Sequence, residues 1–283
     1  MALFKRCYRL SIDIDKTRKV YKDLLGDEGL KIDFDVDMSA NGNFSKGNIT
    51  ITGLAQQDMA FLATNRNPNG TLKPSKLELE VGYPDLLSLI LSGNIIEAEA
   101  NFTMPDQNIR LSVMSAFQNS QINKNTSNSI NGNATFRDIC QITASNNKLS
   151  LKYDPQIPNK VVGDYSFRGS PAQQIQNLRQ YMPDDVSIAV KNNILQVVYN
   201  STKGARAFKL DSESGLIGDP APTLQGCNVR MLLNPALSVN DFVDLKSRRI
   251  PQLDGRYRIL ELKHKGVNRG DIWESNLVMI RAR

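Results

Sequence analysis

The sequence predicts a mainly β protein with an α/β insert, in which two antiparallel β-barrel or β-sheet domains flank a small helix–strand module. Apolar and polar residues alternate one by one through much of residues 1–117 and again after residue 207. Clusters of Gly, Pro, Asn and Asp punctuate those runs, and the patterns of helical period concentrate in residues 118–206. A period of two is what a strand buried on one face requires, because successive side chains point to opposite sides.

In the first segment, KIDFDVDM sets Ile32, Phe34, Val36 and Met38 against Asp33, Asp35 and Asp37. NITIT (48–52) is rich in β-branched residues, and LELEVGY alternates Leu77, Leu79 and Val81 with Glu78 and Glu80. IIEAEANFTM repeats the pattern with Glu97 and Glu99 outward, and PDQ then turns the chain into NIRLSVMSAF as a hairpin. One helix is expected over residues 54–64, where Leu54, Met59, Phe61 and Leu62 form a stripe.

The polar tract QNSQINKNTSNSINGN (118–133) reads as a linker or exposed loop, with too little apolar surface to offset the entropy of ordering it. Beyond it, residues 132–153 and 169–190 each read as Gly, polar N-cap, helix and strand, a possible internal repeat. After residue 207, FVDLKS, GRYRILELKHKG and WESNLVMIRAR are strands separated by turn-rich RRIPQLDG and GVNRGD. The expected division is therefore 1–117, 118–206 and 207–283.

The composition, with 40% hydrophobic and 23% charged residues, suits a globular protein, and no run approaches the roughly 18 apolar residues of a membrane helix. The charged N-terminus has no apolar core of signal-peptide length, so folding in the cytoplasm is expected. Cys7, Cys140 and Cys227 are scattered and read as buried thiols, and His264 is the single histidine, placed on a strand. The net charge of +6 hides an asymmetry: residues 1–117 carry 13 Lys and Arg against 15 Asp and Glu, and the remainder 22 against 14. The basic excess is dispersed, without the clusters of a nucleic-acid site.

Three features invite a chemical reading. GLIGDPAPTLQG lacks the lysine and spacing of a phosphate loop, and its prolines remove N–H groups an anion would use, so it reads as a structural crossover. The carboxylates Asp33, Asp35, Asp37, Glu78, Glu80, Glu97 and Glu99 lie two residues apart on strands, about 6.6 Å along one face. Such rows suit a solvated face, an acidic surface with a purpose, or a glycosidase-like pair. Trp273 is either a core residue of the last hairpin or an interface anchor. No catalytic, cofactor or metal motif is present.

Residues 212–280 resemble the C-terminal region of baseplate hub proteins of tailed bacteriophages and related contractile injection systems. The similarity lies in SESGLIGDPAPTLQG, the Leu-Leu-Asn-Pro of RMLLNP, the Leu-x-Gly-x-Tyr of QLDGRY, the Gly-Asp turn and the Trp strand. GNITITGLAQQDMAFLA, LELEVGY and LILSGNIIEAEANF are similar to the family's N-terminal half. The resemblance implies two tail-tube-like domains per chain and a homotrimeric ring of six similar domains. It implies a structural virion protein of the tail baseplate, assembled in the host cytoplasm, without enzymatic activity or cofactor. The implied partners are copies of itself, the tail tube or a tube-initiator protein, the central spike, the tape measure protein and, in passage only, DNA. Asp33, Asp35, Asp37, Glu97 and Glu99 are then candidates to line the channel, their like charge keeping DNA from adhering. Alternative readings are a tail-associated cell-wall hydrolase using Glu97 and Glu99, or the hub of a phage-like injection device.

Overall fold

The computed structural model describes residues 5–25, 29–68, 70, 72–115, 125–183, 185–191, 193–199 and 207–282. The first segment holds β1 (Cys7–Ile14), β2 (Thr17–Asp23), β3 (Lys31–Ser39), β4 (Asn41–Phe44), β5 (Lys46–Thr52), α1 (Gln56–Thr64), β6 (Lys76–Tyr83), β7 (Leu86–Asn101) and β8 (Asn108–Met114). The middle holds β9 (Thr126–Thr135), α2 (Phe136–Asn146), β10 (Ser150–Tyr153), β11 (Val161–Gly169), α3 (Pro171–Tyr181), β12 (Val186–Lys191) and β13 (Ile194–Tyr199). The last segment holds β14 (Ala207–Leu210), β15 (Leu216–Pro222), β16 (Gly226–Leu232), β17 (Phe242–Leu245), β18 (Gly255–Val267) and β19 (Trp273–Arg281).

The two outer segments share one 13-stranded sheet, in the order β15-β16-β19-β18-β3-β5-β8-β7-β6-β1-β2, with β17 on the first half of β18 and β14 on β17. The sheet is open rather than closed into a barrel. Its halves join where β3 pairs with β18, Ser39 opposite Glu261 through Asp33 opposite Val267. Either side of that joint the strand order repeats over five strands: β3-β5-β8-β7-β6 in the first half, β15-β16-β19-β18-β17 in the second; beyond them β1 is antiparallel to β6 but β14 is parallel to β17. The long strands β7 and β18 carry the same irregularity, a bulge between Ile95 and Glu97 and one between Ile259 and Glu261. A bulge bends a strand and raises its twist, which lets the first half of each pair one way and the second half another. The chain thus contains a duplicated β unit, whereas the sequence points to a repeat only in the middle module.

Three buried clusters lie behind these strands. The first gathers Leu10, Phe34, Ile49, Leu79, Leu111 and their neighbours, the second Cys227, Val243, Tyr257 and Met279, and the third Phe136, Ile175, Ile188 and Val197. Leu233 and Trp273, though late in sequence, belong to the first. Trp273 meets Phe34 edge to face, centroids 5.3 Å apart at 80°. Gly266 makes room for that contact, since a Cβ there would lie 2.6 Å from atoms of both rings. Trp273 is therefore a core residue that ties the halves together.

The middle module is a four-stranded sheet, β10-β13-β12-β4, with the β9–β11 ribbon and two helices. Thr135 with Asp138, and Ser170 with Gln173, form reciprocal capping boxes that start α2 and α3. Because β4 from the first segment pairs in parallel with β12, the module is stitched to the β units. Lys191 reaches Ser238 and Arg258 reaches Ser187, adding contacts to the last segment.

Several expectations need correction. Residues 118–124 of the polar tract lie outside the described residues, and its remainder is largely β9 rather than loop. There Asn, Ser and Thr face solvent while the backbone pairs with β11, so polarity of the side chains does not preclude a strand. The sequence also gives no strand before residue 31, yet β1 and β2 form a hairpin in which Tyr8, Leu10, Ile12 and Ile14 are buried. The Gly/Pro-rich crossover turns out to be the β15–β16 hairpin, with β15 at a sheet edge.

Candidate functional site

Eight strands, from the second half of β7 through β8, β5, β3, β18, β19 and β16 to β15, form a continuous band. One face is buried against the first two clusters and the other is open. Paired residues on neighbouring strands face the same side, so the register maps the open face directly. One row runs Glu97, Ser112, Asn48, Asp35, Lys265, Glu274. The next rows on either side run Glu99, Arg110, Thr50, Asp33 and Asn94, Met114, Lys46, Asp37, Lys263, Asn276, Arg230.

All five candidate carboxylates therefore share this face. They form two groups, Glu97 with Glu99 on β7 and Asp33, Asp35 and Asp37 on β3, three strand spacings or about 14 Å apart. The face is not uniformly acidic. Lys263 Nζ lies 2.8 Å from Asp35 Oδ1 and 3.4 Å from Asp37 Oδ1, and the Asp35 hydrogen bond in particular raises the lysine's pKa. The Ser112 hydroxyl donates to Asn48 Oδ1 at 3.0 Å, with Glu97 Oε2 a longer alternative acceptor at 3.5 Å. Towards the β1 edge Glu80 pairs with Arg9 at 2.8 Å, and Glu78 is held by Lys76 at 2.7 Å and by Arg18. Partial burial pushes the Glu78 carboxyl up, but the Lys76 and Arg18 interactions outweigh it and leave it below the ordinary value.

The cations were illegible as site residues because their partners are remote in sequence. Lys263 stands more than 220 residues from Asp35 and Asp37, and only the β3–β18 pairing brings them together. Alternation of Lys263 and Lys265 about His264 was the available signal.

A groove of about 1050 Å³ opens where this face meets the middle module. Asp37, Lys46, Arg230, Glu261 and Lys263 contribute to its lining, with Phe44 on the module side. Among the described residues, no three His, Cys, Asp or Glu side chains converge as a metal site. The cysteines are free and buried, and burial raises the Cys140 thiol to about 12.

A family model described as baseplate hub gp41 matches residues 9–276. The chain belongs to the baseplate hub gp41 family. The hub protein is similar in fold to the 43 kDa tail protein of prophage MuSo2 from Shewanella oneidensis, at 10% identity and TM-score 0.66, covering 97% of this chain and 98% of that one. A tail protein from Neisseria meningitidis MC58 aligns at 9% identity and TM-score 0.65, over 97% and 96% of the two chains. The Escherichia coli c3393 protein, a type VI secretion component described as similar to the T4 tail proteins gp27 and gp5, aligns at 9% identity and TM-score 0.62, over 96% and 77%. Comparison with curated proteins finds no match. The family makes the hub protein a structural component of a phage tail baseplate.

Proposed function

We propose that three copies of the hub protein close into a ring that joins the tail tube to the central spike, with the open face of the eight-stranded band lining a channel for the genome. The observation that carries this reading is the duplication: two β units of one strand order, already joined edge to edge, are the geometry from which a ring of six similar units is built. In this reading residues 1–117 and 207–283 supply the tube-like units and 118–206 the appended module. Strands spaced about 4.8 Å would close three such bands at a backbone diameter of roughly 37 Å, and strand tilt would widen it.

The two rims of such a ring differ in symmetry. The β7–β8 and β18–β19 hairpins occupy equivalent places in the two units and end at the same rim, which gives six tips per ring. Phe102 and Met104 at one tip are 47% and 73% exposed, and Ile272 at the other is 37% exposed. That rim suits a sixfold tail tube or tube-initiator ring, since exposed apolar side chains gathered at loop tips mark contact with another protein. The opposite rim carries the module once per chain and suits a threefold spike. The tape measure protein would occupy the channel before DNA enters, and assembly would take place in the host cytoplasm.

On the lining, Asp35 faces Lys265, Asp37 faces Lys263 and Lys46, and Glu99 faces Arg110, while Asp33 and Glu97 face uncharged residues. Locally balanced pairs, rather than the expected net acidity, then limit DNA adhesion, because phosphate binding grows with the number of cations freed to neutralise it. Catalysis has no part in this role. The test is a Phe102→Asp, Met104→Asp double variant: the chain should keep its wild-type thermal melt and its spike complex while losing attachment to tail tubes in an assembly assay. Retained tube attachment would contradict the rim assignment, and clearing of a peptidoglycan zymogram by the purified chain would contradict the purely structural role.

A further inference from the structure

The joint between the two β units is a template for a second joint that one chain cannot make alone. In β3–β18 the hydrogen bond from Ala40 N–H to the Leu260 carbonyl (2.8 Å) sets the phase, so the main-chain groups of Met38, Val36 and Phe34 point at Leu262, His264 and Gly266. The duplication supplies the equivalents of both strands. Aligning the bulges places Ile95, Glu97 and Ala100 where Ile259, Glu261 and His264 stand. The Ser115 N–H to Ser45 bond sets the phase of β5–β8 and, through it, turns the main-chain groups of Ala98 and Ala100 away from β8. The Ile95 N–H is taken by the Ser75 carbonyl at 2.9 Å, and among the described residues no strand pairs with residues 97–101 on that side.

The equivalent of β3 is β15. Asn228 of β16 faces Ala221 as Asn48 of β5 faces Asp35, so Pro222 takes the place of Val36. The Thr223 N–H to Gly226 bond turns residues 221 and 223 inward, leaving the Pro222 nitrogen on the outer edge. Among the described residues, that edge too pairs with no strand. Proline has no N–H to give there, and the register is irregular between Ile217 and Ala221, around Pro220.

We infer that β15 of one hub chain adds to residues 97–101 of β7 in a second copy, with Ala221 facing Asn101 and Pro222 facing Ala100, as a weakened version of the β3–β18 joint. The inference rests on the ring reading and gives it a residue-level contact. Pro222 removes a donor from the ladder, and the irregular stretch breaks its continuity. The edge thereby resists adding strands of unrelated chains, a protection that edge prolines supply in other sheets. Three copies held by a tube or spike supply the closure that a single joint does not.

The test is an Ala221→Cys, Asn101→Cys chain under mild oxidation. Both side chains are exposed, the equivalent pair in β3–β18 is a non-hydrogen-bonded one with closely spaced side chains, and the native cysteines are buried. Covalent dimers and closed trimers on a non-reducing gel are expected, with at least tenfold less product from either single variant or from the off-register pair Ala221→Cys, Glu97→Cys. Pro222→Val should lower the concentration at which trimers appear several-fold. Native trimers by mass without the cross-link would overturn the joint and leave the ring standing. Monomers with no cross-link both alone and mixed with the spike, Pro222→Val included, would overturn both. Equal product from the off-register pair would reject the register, and unchanged assembly of Pro222→Val would reject the weakening.

Discussion

One buried side chain should make a distinct contribution to the acid sensitivity of the hub protein. His264 is fully buried in β18, with Nδ1 2.9 Å from Ser275 Oγ, which itself accepts the Asn234 N–H at 3.1 Å. Burial, helped by the charge of Lys191, lowers the histidine pKa from 6.5 to about 3. The folded chain therefore keeps the ring neutral at pH values where the unfolded chain protonates it. The stabilisation from the neutral ring is complete above pH 6.5 and is lost as pH falls towards 3, at about 1.4 kcal/mol per pH unit. Between pH 7 and pH 4.5 the loss is about 3 kcal/mol, a large part of a typical domain's stability. Urea unfolding followed by the fluorescence of Trp273, the single tryptophan, reads this directly. Carboxylates also titrate over this range, so the informative quantity is the difference between wild type and His264→Gln. Wild type should lose about 3 kcal/mol more than the variant from pH 7 to pH 4.5. An equal loss in both would refute the buried neutral histidine.

Other substitutions probe the packing and the open face. Trp273→Ala removes the ring that meets Phe34 across the two β units and should cost about 3–5 kcal/mol, measured by circular dichroism in urea. Gly93→Ala should lower the melting temperature sharply or prevent folding, because the new Cβ would lie 2.3 Å from the Met114 carbonyl oxygen, a backbone atom. Lys263→Glu would place three carboxylates together on half-exposed positions; the cost to stability should stay near 1 kcal/mol and shrink in high salt, as a thermal melt at two ionic strengths would show.

Alternation made β3, β5, β7 and β8 legible, because each of these strands buries one face and leaves the other wet. The same property exposed the five carboxylates as a set, since outward positions on such strands are where charge is tolerated. The helix expected over residues 54–64 forms as Gln56–Thr64. The duplication was hidden because strand order, not residue identity, is what the two units share. Ile95-Ile96-Glu97 against Ile259-Leu260-Glu261, and Asn48 against Asn228, are among the few echoes, and each acquires meaning only once bulges and pairings are known. The partnership of Lys263 with Asp35 and Asp37 was hidden for the same reason: it is a property of a joint between distant strands. Residues 7–14 carry the same alternation, Tyr8, Leu10, Ile12 and Ile14 against Arg9, Ser11 and Asp13, so this strand too was open to sequence reasoning.

The central claim is a ring of three chains and six similar β units. Electron microscopy of the purified hub protein, at concentrations where its mass in solution is that of a trimer or in complex with a spike, tests it most directly. The account predicts a closed ring with six similar lobes around an open channel, six hairpin tips on one rim and three modules on the other. A closed dimer, an open filament, or a trimer whose β units do not meet around a central channel would contradict it.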